Sequence, residues 1–276
     1  MNRRIKSHAV VLSILALMST LSLEAKDSQS PPPKQQEPPS TSARWMPKPG
    51  TSWQIQFAGR LNSNVNVKAF DLDLFDTPQR FIDTLHRKGI KVICYFSAGS
   101  SEDWRPDYSK FSNAVKGAPL GDWPGENWLD VRNLTELLPI MRARMDLAVE
   151  KKCDALDLDN MDVYTQKSGF NISYQDQITY NKTMAEEAHL RNLSIGLKNN
   201  VEQIVDLVND YDFAINESCW HYNECGTLSA FIKQGKAVFG IEYSLSTRRF
   251  CSKSNSLNFD FLKKNTNLDA YRVSCR

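Results

Sequence analysis

Cys153-Asp154-Ala155-Leu156-Asp157-Leu158-Asp159-Asn160-Met161-Asp162 is a short apolar strand that runs out into carboxylates. A second segment, Phe213-Ala214-Ile215-Asn216-Glu217, repeats the pattern: an apolar strand ending in an acid. Working outward from these two, apolar runs of strand length alternate with helix-like segments from Trp53 onward.

The strands expected are Trp53–Phe57, Val67–Asp71, Lys91–Phe96, Trp128–Val131, Ala155–Asp159, Leu193–Leu197, Phe213–Asn216 and Ala237–Ile241. Between them, Thr77-Pro78 supplies a cap and an N1 proline for a helix over 80–88 that stops at Gly89. Residues 134–152 and 174–192 read as long amphipathic helices, and 201–209 and 228–234 as shorter ones. Eight strands with helices between them predict an α/β fold, a (β/α)8 TIM-type barrel in a single domain over residues 45–276. The connection over 58–66 is too short for a regular crossover helix. The architectural alternative is an open doubly wound sheet. Its nucleotide-binding form is disfavoured, because neither GxGxxG nor GxxxxGK[ST] occurs.

The N-terminus reads differently. Arg3, Arg4 and Lys6 precede an apolar run from Ala9 to Met18, and Leu23-Glu24-Ala25 offers a small-residue cleavage site. Residues 1–25 are therefore expected to be a secretory signal peptide, which places the protein outside the cell, at its surface or in a periplasm. The run is short for a spanning helix, so no stable membrane insertion is expected after cleavage. Residues 26–44 are rich in Pro, Ser and Gln, a composition that cannot bury enough apolar surface to fold, and read as a disordered linker. Losing the leader takes the net charge from +2 to about zero. No basic patch stands out, so nucleic acid is not an expected partner.

The six cysteines form no CxxC pattern, and the chain has only four histidines, so no metal site is expected. A secreted chain permits disulfides. Cys251 with Cys275 and Cys219 with Cys225 are candidate pairs, and Cys94, inside an apolar strand, reads as a free buried thiol.

In a barrel the chemistry sits at the C-terminal ends of the strands. Polar residues collect there: Asp71 and Asp73, Tyr95 and Ser97, Asp157, Asp159 and Asp162, Lys198 and Asn199, Glu217, then Glu242 and Tyr243. Carboxylates on two separate strands are what cleavage of a glycosidic bond requires. The Asp157–Asp162 run is not an EF-hand, because its sixth position is Asp162 and its twelfth is Ser168. Asp71-Leu-Asp73 lacks the Thr or Val of a phosphatase nucleophile motif, having Phe75 there. Lys198 reads equally as a barrel-end ion pair. Of the aromatics, Trp104, Trp123 and Trp220 lie in polar or Gly/Pro-rich sequence and are the better platforms for a sugar ring.

Six segments occur in a telling order: Trp53-Gln54-Ile55-Gln56, Phe70-Asp71-Leu72-Asp73-Leu74-Phe75-Asp76, Cys94-Tyr95-Phe96-Ser97-Ala98-Gly99-Ser100, Trp104-Arg105-Pro106-Asp107, Asp159-Asn160-Met161-Asp162 and Asn216-Glu217-Ser218-Cys219. Together they resemble glycoside hydrolase family 114, the endo-α-1,4-polygalactosaminidase family, across nearly all of the mature domain. The resemblance implies a barrel that cleaves α-1,4-linked galactosamine polymers such as galactosaminogalactan, without a cofactor. It places the catalytic residues on Asp159 and Glu217, with Asp157 the neighbouring alternative to Asp159. It also implies that Asp71, Asp73, Asp157 and Asp162 line the subsites. Tyr95, Lys198, Trp220 and Glu242, at or beside strand ends, complete the expected binding set. Glu217 is expected to be the general acid and Asp159 its ionised partner. The competing readings are a non-catalytic carbohydrate-binding barrel and a hydrolase of another α-linked polysaccharide.

Overall fold

A computed structural model describes residues 43–121 and 123–276. The expected signal peptide and most of the linker lie outside the described residues. Eight parallel strands follow one another in chain order: β1 Trp53–Ile55, β2 Ala69–Asp73, β3 Lys91–Ser97, β4 Ala155–Asp159, β5 Ser194–Lys198, β6 Phe213–Glu217, β7 Val238–Glu242 and β8 Asp260–Lys263. Parallel ladders join each neighbouring pair from β1 to β8. At the seam, the Trp53 indole N–H donates to the Asp260 carbonyl (2.8 Å) and Arg272 donates to the Trp53 carbonyl (2.8 Å). The architecture is a (β/α)8 TIM-type barrel.

Side chains alternate across a strand, so every second residue points into the barrel. Trp53, Ile55, Ala69, Ile93, Ala155, Phe213, Ile215, Phe239, Ile241 and Leu262 fill that interior. Gly196 makes room for one of them: a Cβ there would lie 2.6 Å from the Phe213 ring. The opposite faces of the strands pack against helices α1 Gln79–Arg87, α2 Leu134–Glu150, α3 Tyr174–Leu190, α4 Ile204–Leu207, α5 Cys219–Tyr222, α6 Ser229–Lys233 and α7 Thr247–Ser256. Asn133 caps α2 and a Ser173/Asp176 capping box starts α3. Pro78 stands at the N-cap of α1, one position before the expected N1. No helix among the described residues is long and apolar enough to cross a membrane.

Two strand assignments change. The run expected as a barrel strand at 128–131 belongs instead to a small antiparallel sheet, in which Glu126–Leu129 lies between Ser100–Glu102 and Lys116–Pro119. The eighth barrel strand is Asp260–Lys263, which no expected element covered. The segment 155–159 is thus the fourth strand of the barrel. Three disulfides form: Cys94–Cys153, Cys219–Cys225 and Cys251–Cys275. Cys94 is not a free thiol. Its side chain leaves the outer face of β3 and meets Cys153 just ahead of β4.

Candidate active site

Period-two alternation puts Asp71 and Asp73, Tyr95 and Ser97, Asp157 and Asp159, Lys198, Glu217 and Tyr243 on the barrel's inner face at its C-terminal end. Lys198 is the hub. Its ammonium is 2 % exposed and lies 3.1 Å from Asp157 Oδ2, 3.4 Å from Asp159 Oδ1 and 3.8 Å from Glu217 Oε2. Burial opposes its charge, but Asp157 first, then Asp159 and Glu217, outweigh burial and hold its pKa well above the ordinary lysine value.

Exposure separates the four carboxyls. The side chains of Asp159 and Glu217 are 22 % and 25 % exposed, whereas Asp157 is fully buried, as is Asp71. The first two are open to a bound molecule and the second two are not. Asp159 is oriented by donors on both oxygens: Tyr95 Oη donates to Oδ2 (2.9 Å), and the Asn160 N–H donates to Oδ1 (2.9 Å), the oxygen nearest Lys198. Glu217 accepts the Tyr243 hydroxyl on Oε1, and its own N–H donates to Asn199 Oδ1 (2.9 Å). Burial first, then the adjoining carboxylates, raise the pKa of both Tyr95 and Tyr243, so both stay protonated donors.

The backbone turns that aim these groups are left-handed at Asn160 (φ 61°), Asn199 (φ 50°) and Ser218 (φ 64°), each directly after a barrel strand. Asn tolerates that conformation better than most residues. Gly99 meets Asn160 from β3's side, its N–H and that of Ala98 donating to the Asp159 carbonyl (3.1 and 3.0 Å). A Cβ on Gly99 would sit 1.7 Å from the Asn160 carbonyl oxygen. Gly99→Ala should therefore displace Asn160 and the N–H it aims at Asp159. We expect about 1–3 kcal/mol lost from overpacking, and a fall in kcat larger than any rise in KM, read by chemical unfolding and steady-state kinetics.

The Glycoside-hydrolase family GH114 matches residues 34–276. The chain is a member of GH114. Among solved structures it is similar to Aspergillus fumigatus Ega3, crystallised in complex with galactosamine, at 40% identity over 85% of this chain and 99% of that chain, with a TM-score of 0.80. The glycoside hydrolase domain of Pseudomonas aeruginosa PelA shares the fold at 15% identity, covering 81% of this chain and 98% of that one, with a TM-score of 0.64. The comparison with curated proteins found no match. As a GH114 member the protein is a glycoside hydrolase.

Within this GH114 site the expected binding residues divide. Tyr95, Asp157 and Lys198 surround the exposed pair, and Asp71 lies beneath it. Asp162, half-buried, accepts one weak bond from Gln166 (3.4 Å); burial and the charge of Asp159 push its carboxyl up to about 6. Asp73 is committed elsewhere. Arg105 reaches both of its oxygens (2.6 and 3.1 Å), and the N–H groups of Phe75 and Asp76 donate to Oδ1 (both 2.8 Å). The same Arg105 holds Glu102 (2.9 Å), while Asp107 binds Arg144 of α2, which donates to the Ser97 carbonyl (2.7 Å). The Trp104-Arg105-Pro106-Asp107 motif thus pins the loop after β2 and the end of β3.

Trp220 and Glu242 turn outward. Glu242 accepts the N–H groups of Trp220 (2.8 Å) and His221 (3.3 Å) at the start of α5. The Trp220 indole donates to Ser254 of α7 (2.8 Å) and packs near Phe261. Strand alternation explains this, since Glu242 is one residue out of phase with Ile241 and Tyr243. Trp104 and Trp123 are exposed on the antiparallel insertion.

Sequence reasoning did not single out Glu126. It accepts from the Ser100 hydroxyl and from Asn160 Nδ2 (3.1 Å), so it steadies the residue after Asp159. Burial, opposed by Ser100, pushes its carboxyl from an ordinary 4.5 up to about 7. Between those two values the folded protein binds a proton that the unfolded chain has released, so stability falls as pH rises through that window. Glu126→Gln should match wild type in melting temperature at about pH 4 and exceed it at about pH 8. Equal melting temperatures at both pH values would exclude a raised Glu126.

Proposed function

We propose that the protein is an extracellular hydrolase of α-1,4-linked galactosamine polymers, with Asp159 as nucleophile and Glu217 as general acid and base. The observation that carries this reading is the single buried ammonium bridging the two exposed carboxyls. In a retaining reaction Glu217 gives its proton to the glycosidic oxygen as Asp159 attacks the anomeric carbon. One carboxyl gains a negative charge as the other loses it. A cation between them sees a constant sum, so no charge must be reorganised in the barrel. Water, deprotonated by Glu217, then releases the sugar from Asp159.

The two contacts to Lys198 keep the nearest Asp159 and Glu217 oxygens within about 7 Å of each other, a spacing compatible with retention. Galactosamine polymers are cationic where not acetylated, and Asp162, whose carboxyl feels the charge of Asp159, adds a further acid group beside the pair. Asp162, with only one weak partner, is the group assigned to a sugar amine. The galactosamine complex of Ega3, at 40% identity, supports the sugar class. Secretion is supported by the three disulfides, which persist in oxidising compartments.

The test is incubation of the protein with partly deacetylated galactosaminogalactan, with products read by mass spectrometry. Wild type should release short oligosaccharides, and Glu217→Gln should do so about 10²–10⁴-fold more slowly. Polymer bound without products would leave a carbohydrate-binding barrel. Products from other α-linked polymers only would overturn the substrate assignment.

A further inference from the structure

Asp71 is a fully buried carboxyl of the barrel interior that the reaction above does not use. Neither of its oxygens has a donor, and both are sealed from solvent. Its register neighbours are Ile55 on β1 and Ile93 on β3, so the flanking strands bring it no charge. The charged groups that act on it are Asp157, from β4, and Lys198, from β5. Asp157 is itself divided: Oδ2 takes the Lys198 ammonium (3.1 Å) while Oδ1 is buried without a partner. Three orphaned oxygens on two facing carboxyls are untenable as two anions, because each unmet buried acceptor costs free energy and like charges at contact repel. One proton resolves this. Burial raises the Asp157 carboxyl to about 6, yet Lys198 donates to its Oδ2 and favours its anion, whereas neither Asp71 oxygen has any partner, so Asp71 is the better seat. The proton sits on Asp71.

We propose that Asp71 is a positioning residue for the reaction: it remains a neutral carboxylic acid at working pH and donates its proton to Oδ1 of Asp157. Asp157 is thereby oriented and left as the single fixed counter-charge beneath Lys198. The ammonium is then held at the height where it bridges Asp159 and Glu217, with the Tyr95 ring 5.3 Å away on its other flank. Two ionised carboxylates at that depth would instead draw Lys198 down the barrel, away from the reacting pair. Burial and the Asp157 charge both push the Asp71 pKa well above the usual carboxylate range, as this arrangement requires. The inference concerns the same site as the proposed function, and its catalytic consequence rests on that reading; the location of the proton does not.

Asparagine mimics a neutral carboxylic acid in shape and can donate to Asp157. Asp71→Ala should lower kcat at least about tenfold, because Asp157 Oδ1 is left buried without a donor, and Asp71→Asn should restore most of that loss with the wild-type pH profile, one neutral hydrogen bond replacing another. Asp157→Asn should lower kcat at least about tenfold and move a limb of the profile by about one unit, because Lys198 loses its counter-charge. Thermal unfolding should show all three variants folded. An Asp71→Ala enzyme with wild-type kcat would overturn the positioning role. The proton itself is read independently of turnover: the infrared spectrum at neutral pH should contain a carboxylic acid C=O band that Asp71→Asn removes. An Asp71→Asn enzyme as impaired as Asp157→Asn, with a displaced pH profile, would overturn the positioning role. Absence of that band from the wild-type spectrum would overturn the proton assignment, even if the enzyme cleaved no galactosamine polymer.

Discussion

Asp159→Ala should abolish polymer cleavage, with kcat reduced by about 10⁴-fold or more, beyond the 10²–10⁴-fold that one acid–base catalyst contributes. The expectation follows from the position of the group. Asp159 is exposed enough to reach an anomeric carbon, and it is oriented by Tyr95, the Asn160 N–H and Lys198. Removing the side chain removes the covalent step but leaves Glu217 and its proton in place. Azide, small enough to enter the space vacated, should then restore turnover of an activated α-linked galactosaminide and give the β-glycosyl azide. The Asn160 N–H after β4 and Tyr95 on β3 stay in place, so substrate affinity should change far less than kcat. Activity within about tenfold of wild type, the effect of losing one weak contact, would remove Asp159 from the chemistry.

Lys198→Met should damage both stability and catalysis. Methionine keeps the length of the side chain and discards the charge. Asp157 would then be buried with neither cation nor solvent, a situation that costs about 3–5 kcal/mol when one partner of a buried pair is removed. The loss should appear in the denaturant midpoint with an unchanged slope. Adding Asp157→Asn removes the stranded charge, so the double variant should recover much of the stability while remaining inactive, because nothing bridges Asp159 and Glu217. A double variant no more stable than Lys198→Met alone would mean that the ammonium acts on stability through some other contact.

The site was legible in the sequence to an unequal degree. Asp157-Leu158-Asp159 announces two carboxyls on one strand face, and the period of a strand places both inside the barrel. Which of them meets substrate is a matter of depth, one layer against the next, and depth has no signature in a strand of five residues. Asp73 was expected at the sugar because it stands at a strand end and within a segment that resembles GH114. Its partner Arg105 lies 32 residues away, across a loop whose course no local pattern records. Trp220 sits in polar sequence, yet its indole is drawn into the helix layer by Ser254, 34 residues on. The signal that was available for Glu242 is its phase: it alternates with Ile241 and Tyr243, so only one set can face inward.

The fold was legible where strands are long and doubly buried. β8 escaped because Asp260-Phe261-Leu262-Lys263 has charged ends and only two apolar residues. Asp260 is occupied by the Gly50 N–H (2.9 Å) and by Arg276, contacts that close the bottom of the barrel rather than mark a strand. Trp128-Leu129 is as apolar as a barrel strand, and nothing in its composition tells that its neighbours are antiparallel. Cys94 is separated from Cys153 by 59 residues, and only the ladder between β3 and β4 brings them together.

The measurement that bears most directly on the central claim is the anomeric configuration of the first-formed product, followed by proton NMR as the protein cleaves deacetylated α-1,4-linked galactosamine oligomers. An Asp159 nucleophile and a Glu217 acid bridged by one ammonium predict retention, with the α-anomer appearing first and the β-anomer only by later mutarotation. The β-anomer appearing first would show direct attack by water and contradict Asp159 as nucleophile.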